Sequence, residues 1–330
     1  IDDISVTPNG PPNTARTAID YDGNGKTDYS IVRDEQPQWV WYTTLNGGAG
    51  ASSGTPWGIK SDLLAPADYD GDGKTDIAVW RSSNVNPLAY FYILQSSTGT
   101  FRVEQFGRSD DDEPTIVGDY DGDGKADLAV FRANGTAAGA WGVGKSVWYD
   151  RPSGTAGADF TAVCWGQNGD TETGGDFDGD GKFDFMVRRN LGGNGVFFLL
   201  RSSDSGFEAI YWGRSDDTIA PGDYDGDGKY DLAVGRLNGT DGEFYILERD
   251  GGGTGAIPYV FGNIAGKADN LAQGDYDGDG KQDVAVLKLS GAPGPAFIIR
   301  RSSNGAIDYF PFGQAGDFTA AAWNETCGGC

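Results

Sequence analysis

Asp68, Asp70, Asp72 and Asp76 stand at positions 1, 3, 5 and 9 of the stretch DYDGDGKTD, with Gly71 and Gly73 between them. Carboxylates this close repel one another strongly unless a cation sits among them. The spacing matches the first nine positions of a calcium loop. Such a loop draws side-chain oxygens from positions 1, 3, 5 and 9 and a backbone carbonyl from position 7, with glycine at position 6 for the sharp turn. A hard divalent cation with oxygen ligands, calcium, is the expected occupant. An EF-hand would add a bidentate glutamate at position 12 and a helix. Here position 12 is Val79 and the chain continues as DIAVW, a short β-branched run. The expected site is a calcium loop between two strands.

The nonapeptide occurs six times, at intervals of 48, 51, 57, 47 and 52 residues. Position 1 is Asp20, Asp68, Asp119, Asp176, Asp223 and Asp275; position 3 is Asp22, Asp70, Asp121, Asp178, Asp225 and Asp277. Position 5 is Asn24, Asp72, Asp123, Asp180, Asp227 and Asp279, and position 9 is Asp28, Asp76, Asp127, Asp184, Asp231 and Asp283. At position 7 the backbone carbonyls of Lys26, Lys74, Lys125, Lys182, Lys229 and Lys281 complete the expected ligand sets. These loops hold 23 of the 49 acidic residues, so calcium, about six ions, is the expected cofactor. Asn24 removes one charge, and the first loop is expected to bind weakest.

The elements that must position these loops are also repetitive. A short strand such as TIAPG (218–222) precedes each loop and a mostly apolar one such as DLAVG (231–235) follows it. Next comes an aromatic-rich strand: WVWY (39–42), YFYIL (90–94), VWY (147–149), VFFLL (196–200), FYIL (244–247) and FII (297–299). A fourth strand ends in an aromatic followed by glycine: Trp57-Gly58, Phe106-Gly107, Trp165-Gly166, Trp212-Gly213, Phe261-Gly262 and Phe312-Gly313. Four short strands in roughly fifty residues describe one propeller blade. The predicted fold is all-β, a six-bladed β-propeller of four-stranded antiparallel blades with one calcium loop per blade.

The aromatic-Gly ending, the AP of LAPADYDGDG (64–73) and IAPGDYDGDG (219–228), and the DxDGDGxxD loop together resemble FG-GAP repeats. These include the VCBS-type repeats of secreted bacterial proteins and the blades of the integrin α-subunit head. The resemblance covers residues 14–316, leaving an N-terminal extension (1–13) and a C-terminal strand with a CxxC tail (317–330). It implies calcium in the loop joining the first two strands of each blade, all on one face, with ligand contacts usually on the opposite face. The family spans adhesion heads, lectins and domains attached to polysaccharide lyases, so it implies a fold more sharply than a function.

Composition narrows the function. The net charge of −24 excludes a nucleic-acid footprint, which needs clustered lysine and arginine. Six divalent ions would bring it to about −12 and would fill in the millimolar calcium found outside cells. No apolar run is long enough to span a bilayer. Cys164, Cys327 and Cys330 fit an oxidising compartment, and the start at Ile1 fits either an export signal already removed or a start inside a longer precursor. The expected location is extracellular or at the cell surface. With no histidine there is no Ser-His-Asp triad and no ordinary zinc site, and nearly every clustered acid is committed to a loop. The expectation is therefore no enzyme. Copies of the same chain, or surface glycans and proteins, are the expected partners; self-assembly or adhesion leads, a calcium-dependent lectin or polysaccharide-binding module is the alternative, and a polysaccharide lyase ranks behind both. Candidate ligand loops run over 81–89, 132–146 and 236–243, the longest carrying Trp141. Asn134, Asn238 and Asn324 lie in N-x-Thr sequons.

A basic residue follows each loop's first aspartate by thirteen positions: Arg33, Arg81, Arg132, Arg189, Arg236 and Lys288. An acid precedes it by six in five units: Asp62, Glu113, Asp170, Asp217 and Asp269. Folding the hairpin sets them opposite, as exposed cross-strand pairs contributing ~0–1 kcal/mol each. The first unit has Thr14 there, which leaves Arg33 unpaired. TARTAI (14–19) is expected to supply the first blade's opening strand. GDFTAAAW (316–323) then aligns as a surplus seventh, with Asp317 where Asp62 and Asp217 fall. That strand either latches the ring across its seam or, with DDISVTPNG (2–10), pairs with a neighbouring subunit.

Overall fold

The computed structural model describes residues 19–47, 53–83, 87–108, 112–135, 144–154, 159–238, 241–249, 257–261, 271–289 and 294–320. All regular structure among them is β, in six antiparallel sheets arranged as the blades of a propeller. The first blade contains β1 (Tyr29–Glu35), β2 (Gln38–Thr44) and β3 (Ser53–Ile59). The second runs β4 (Leu63–Leu64), β5 (Ile77–Arg81), β6 (Leu88–Leu94) and β7 (Phe101–Arg108). The third is β8 (Asp112–Glu113), β9 (Leu128–Gly135), β10 (Lys145–Arg151) and β11 (Thr161–Gln167); the fourth is β12 (Thr171–Gly175), β13 (Asp184–Leu191), β14 (Asn194–Leu200) and β15 (Phe207–Arg214). The fifth is β16 (Thr218–Ile219), β17 (Leu232–Asn238), β18 (Asp241–Leu247) and β19 (Ile257–Phe261). The sixth has β20 (Val284–Lys288), β21 (Ala296–Arg300) and β22 (Ile307–Pro311), with lone bridges at Leu271 and Gly274 in its innermost place.

The inner strands of four blades are only two residues long, and in the second, third and fifth a lone bridge (Ala67 to Asp76, Gly118 to Asp127, Gly222 to Asp231) follows at the mouth of the loop. The alternating apolar residues of the second and third strands face the neighbouring blades, so the core lies between blades. Tyr69, Phe91 and Ile93 of the second blade pack on Val117, Leu128 and Val130 of the third. The aromatic-Gly ending supplies the wedge. Trp57 donates its indole N–H to the Tyr92 carbonyl one blade on (3.1 Å), as Trp165 does to Phe198 (2.9 Å) and Trp212 to Tyr245 (3.3 Å). Among the described residues the glycine after the wedge (Gly58, Gly107, Gly166, Gly213, Gly313) turns the chain back at a φ of 72–105°, which side chains rarely adopt.

The seam departs from the sequence expectation. The last strand, β23 (Phe318–Thr319), pairs with β1 (Ile31 opposite Thr319, Val32 opposite Phe318) and so fills the first blade's innermost place. Residues 14–18 lie outside the described residues. Ile19 has a φ of 64°, its carbonyl accepts the Asp28 N–H (2.7 Å) as Ala67 does that of Asp76, and its side chain is buried beside Ala320. The tyrosine at loop position 2 registers the seam. In four other loops its hydroxyl donates to the inner strand (Tyr69 to the Ala65 carbonyl, 2.7 Å), but Tyr21 meets the Ser30 hydroxyl instead. Residues 317–320 therefore pair within this chain, across the seam. Residues 2–10, Cys327 and Cys330 lie outside the described residues.

Each blade also rests on the residue just before the previous loop. Phe183 covers Gly118 and Tyr230 covers Gly175, so closely that a Cβ on either glycine would come within 2.0 and 2.3 Å of the ring. Gly118→Ala is expected to destabilise by about 2 kcal/mol, in the range of overpacked cores. Phe183→Ala in the same chain should remove most of that added cost. Urea melts of the two single variants and the double test this; additive losses would refute the contact.

Candidate metal centres

Two carboxylates organise each loop. Position 1 gathers the turn: Asp20 Oδ1 accepts the Gly23 N–H (2.7 Å) and Asn24 N–H (3.2 Å), and Oδ2 accepts that of Gly25 (2.8 Å). The others repeat this, as in Asp68 with Gly71 and Gly73. Position 9 locks the loop to its blade. Asp76 Oδ2 accepts the N–H of position 2 (Tyr69, 3.1 Å), and Oδ1 that of Ser96 beyond the third strand (2.7 Å). The same pair of bonds recurs at Asp28, Asp127, Asp184, Asp231 and Asp283.

Positions 1, 3 and 9 converge. One oxygen from each lies within 4.8 Å of the others in Asp20/Asp22/Asp28, Asp68/Asp70/Asp76, Asp119/Asp121/Asp127, Asp176/Asp178/Asp184 and Asp223/Asp225/Asp231. Position 5 stays outside these triads. Its Oδ1 accepts the N–H of position 7, as Asp72 does from Lys74 (2.9 Å), and Asn24 keeps that role toward Lys26 (2.8 Å). The fit to a cation rests on position 3. Asp70 Oδ1 and Asp277 Oδ1 are buried and have no hydrogen-bond partner. A lone buried carboxylate oxygen facing other carboxylates is costly unless it is protonated or ligates a cation. Burial raises the position-9 carboxyls to about 6 for Asp28, Asp76, Asp184 and Asp283 and to about 7 for Asp127 and Asp231.

A serine collar outside the loops was not read from the sequence. Ser97, Ser203 and Ser303 donate to the position-3 carboxylates of Asp70, Asp178 and Asp277 (2.5–2.6 Å); the other oxygen has no partner in Asp70 and Asp277 and accepts the Asp180 N–H (3.2 Å) in Asp178. Ser153 and Ser302 donate to Asp123 and Asp279 at position 5. The SS pairs of QSSTG, RSSDSG and RSSNG carry this pattern.

The six loops form a closed ring. The position-8 N–H of each loop donates to the position-1 carbonyl of the loop before it: Thr75 to Asp20, Ala126 to Asp68, Phe183 to Asp119, Tyr230 to Asp176, Gln282 to Asp223 and, across the seam, Thr27 to Asp275, all at 2.6–2.7 Å. The position-7 lysine stem also lies over the preceding loop's first glycine, Lys125 on Gly71 and, closing the circle, Lys26 on Gly278. The lysines named for their carbonyls thus use their side chains on the neighbouring site.

At the opposite end of the blades the expected ion pairs are present with two corrections. Arg81–Asp62, Arg189–Asp170 and Arg236–Asp217 pair as anticipated, each through two bonds of 2.6–2.7 Å. Arg132 pairs with Asp112 rather than Glu113, because one extra residue precedes the third loop. Arg33 is paired after all, with Asp317 of β23 (2.7 and 2.8 Å). Nor are these exposed pairs. All five aspartate side chains are at most 1 % exposed, and each guanidinium stacks on an aromatic ring 4.4–4.7 Å away. Each aspartate also accepts the N–H just after the aromatic-Gly glycine, as Asp62 does from Ile59 (2.8 Å). Asp269 lies outside the described residues. So do the centres of the three candidate ligand loops, Trp141 among them.

Cys164 is half-buried, with a free thiol, in a cleft of about 350 Å³ lined by Lys145, Trp165, Gln167, Arg189 and Phe198. No helix among the described residues is long and apolar enough to cross a membrane. No curated protein matches the chain. The family model described as FG-GAP-like repeat matches residues 20–79, 68–130 and 223–286, together just over half of the sequence. The loop at Asp176 lies outside these matches yet makes the same contacts, so the repeat is continuous around the ring. With six such blades on one chain, this protein belongs to the FG-GAP-like repeat family.

Proposed function

We propose that this protein is a non-catalytic, extracellular calcium-binding propeller that serves in adhesion or as a self-assembling surface subunit. The observation that carries the calcium reading is the partnerless buried oxygen of Asp70, repeated at Asp277, inside a three-carboxylate cluster. Positions 1, 3, 5 and 9 and the position-7 carbonyl would hold the ion, and it would neutralise charge and tie two strand ends together. No reaction is assigned to it. Titration calorimetry should give about six sites per chain; no uptake at millimolar calcium would refute the reading. Sedimentation with and without calcium, beside electron microscopy of native material, tests assembly: a monomer under all conditions leaves adhesion alone.

The raised position-9 carboxyls fix the direction of the pH dependence. Their protons must leave for a cation to bind, so affinity is expected to weaken as pH falls through about 7 to 6. In the chelated protein the sign reverses. A carboxyl whose pKa is raised on folding contributes stability that is complete below the unfolded value near 4 and lost as pH rises through 6–7. Chelated protein should therefore melt higher at pH 5 than at pH 8. Scans at both values decide it, and the opposite order would overturn the assignment.

Carbohydrate binding is the second reading, favoured by the Trp165–Phe198 cleft on the face away from the loops, where an indole and polar groups converge. A glycan array with calcium present separates it from self-assembly.

A further inference from the structure

We propose that the six sites load cooperatively, each occupied loop raising the affinity of the two loops beside it through the peptide that joins its positions 7 and 8. This rests on the calcium reading and adds a coupling between sites. In a planar trans peptide the C=O and N–H point in opposite directions. The peptide that gives the Thr75 N–H to Asp20 therefore turns the Lys74 carbonyl, its expected ligand atom, away from the first loop. Ligation of that carbonyl fixes the peptide plane and polarises its N–H, which strengthens the bond to the neighbour. The acceptor is the carbonyl of a position-1 aspartate, the residue whose carboxylate folds its own loop. Holding its backbone still pre-organises that site.

Linkage makes the effect reciprocal, so each loop also feels the one that follows it. The lysine stem over the preceding glycine is a second, independent contact on the same path. A Cβ on Gly71 would lie 2.9 Å from Lys125 Cε, and Gly71 adopts a φ of 80°. The lysine stem thus packs against the backbone of the preceding loop at its first glycine. Because the seam carries both contacts, the path has no end and every site has two neighbours.

The test follows each loop by its own amide signal in a calcium titration by nuclear magnetic resonance. It is run in about 0.5 M KCl, where the Debye length is roughly 4 Å and long-range field effects are screened. Gly73, Gly181 and Gly280 donate to the position-1 carboxylates of loops 2, 4 and 6 and report them separately. Asp121→Asn with Asp123→Asn disables loop 3. Gly73 and Gly181 should then need about fivefold more calcium for half-saturation, the low end of known couplings between sites, while Gly280 across the ring shifts less than twofold. Asp225→Asn with Asp227→Asn in loop 5 should exchange the pattern, moving Gly181 and Gly280 and sparing Gly73. Neighbours that shift no more than the opposite loop overturn the coupling and leave six independent calcium sites. If no signal titrates in the unaltered chain, the calcium reading falls and the coupling with it.

Discussion

Chelating calcium is expected to lower the melting temperature by about 30 °C or more, a far larger change than any equal ionic strength of monovalent salt produces. A ligand held at 100 times its dissociation constant stabilises the native state by about 2.7 kcal/mol per site. Six sites then supply on the order of 15 kcal/mol, as much as a whole domain's usual margin. Each kcal/mol moves the melting point by roughly 2–4 °C in chains of this size class. Without the ion the loops are not bare. Every position-1 carboxylate still accepts its turn's N–H groups and every position-9 carboxylate still bridges two strands, so the chelated ring should stay folded at 25 °C and fail on heating. Calorimetric scans in EDTA, in calcium and in added sodium chloride make the comparison. A melting point that EDTA leaves unchanged would remove the structural role of calcium.

The loops and blades were legible in the sequence because both are local. The nonapeptide folds on bonds that span at most nine positions, and strand alternation needs only its own residues. The arginine partners were half legible. Asp62, Asp170, Asp217 and Asp317 each lie four residues after the glycine of an aromatic-Gly pair, a spacing set by the turn whose N–H they accept. Counting back from the following loop chose Glu113 where one inserted residue makes Asp112 the partner. Counting forward from Gly107 points to the same neighbourhood and away from the loop.

What the sequence hid is what joins distant segments. The serine collar sits 29 residues after Asp68 but 27 after Asp176, because the turn between the second and third strands varies in length. The inter-loop bonds use backbone groups that carry no residue signature. A trace survives in the residue before each loop, which is glycine where the next blade brings Phe183, Tyr230, Gln282 or Thr27 against it, and alanine at Ala67. The seam misled for the same reason: residues adjacent to the first loop were credited with the opening strand, whereas β23 arrives from 289 residues away.

Ending the chain at Gly316 is expected to open the ring, with a loss greater than that of any single substitution at the seam. The truncation removes the pairing of β23 with β1, the burial of Thr319 and Ala320, and the edge contact of Phe318 with Trp39 (5.2 Å). It also removes Asp317, the buried partner of Arg33. Two substitutions show how that pair divides its contribution. Arg33→Met leaves a carboxylate that is 1 % exposed with only the Gln314 N–H (2.6 Å) for company, and an uncompensated buried charge costs about 3–5 kcal/mol. Asp317→Asn leaves a guanidinium that is 20 % exposed and still stacked on Tyr42. Water can reach that charge, so the cost should be nearer 1–2 kcal/mol. The expected order of destabilisation is truncation, then Arg33→Met, then Asp317→Asn, measured by urea melts in calcium. Sedimentation of the same proteins separates the latch from an intermolecular role. A truncated chain that keeps its stability but loses higher assemblies would mean that residues after Gly316 serve a neighbour. One that melts early while its state of association is unchanged places their work at the seam, where β23 and Arg33 hold the first blade shut.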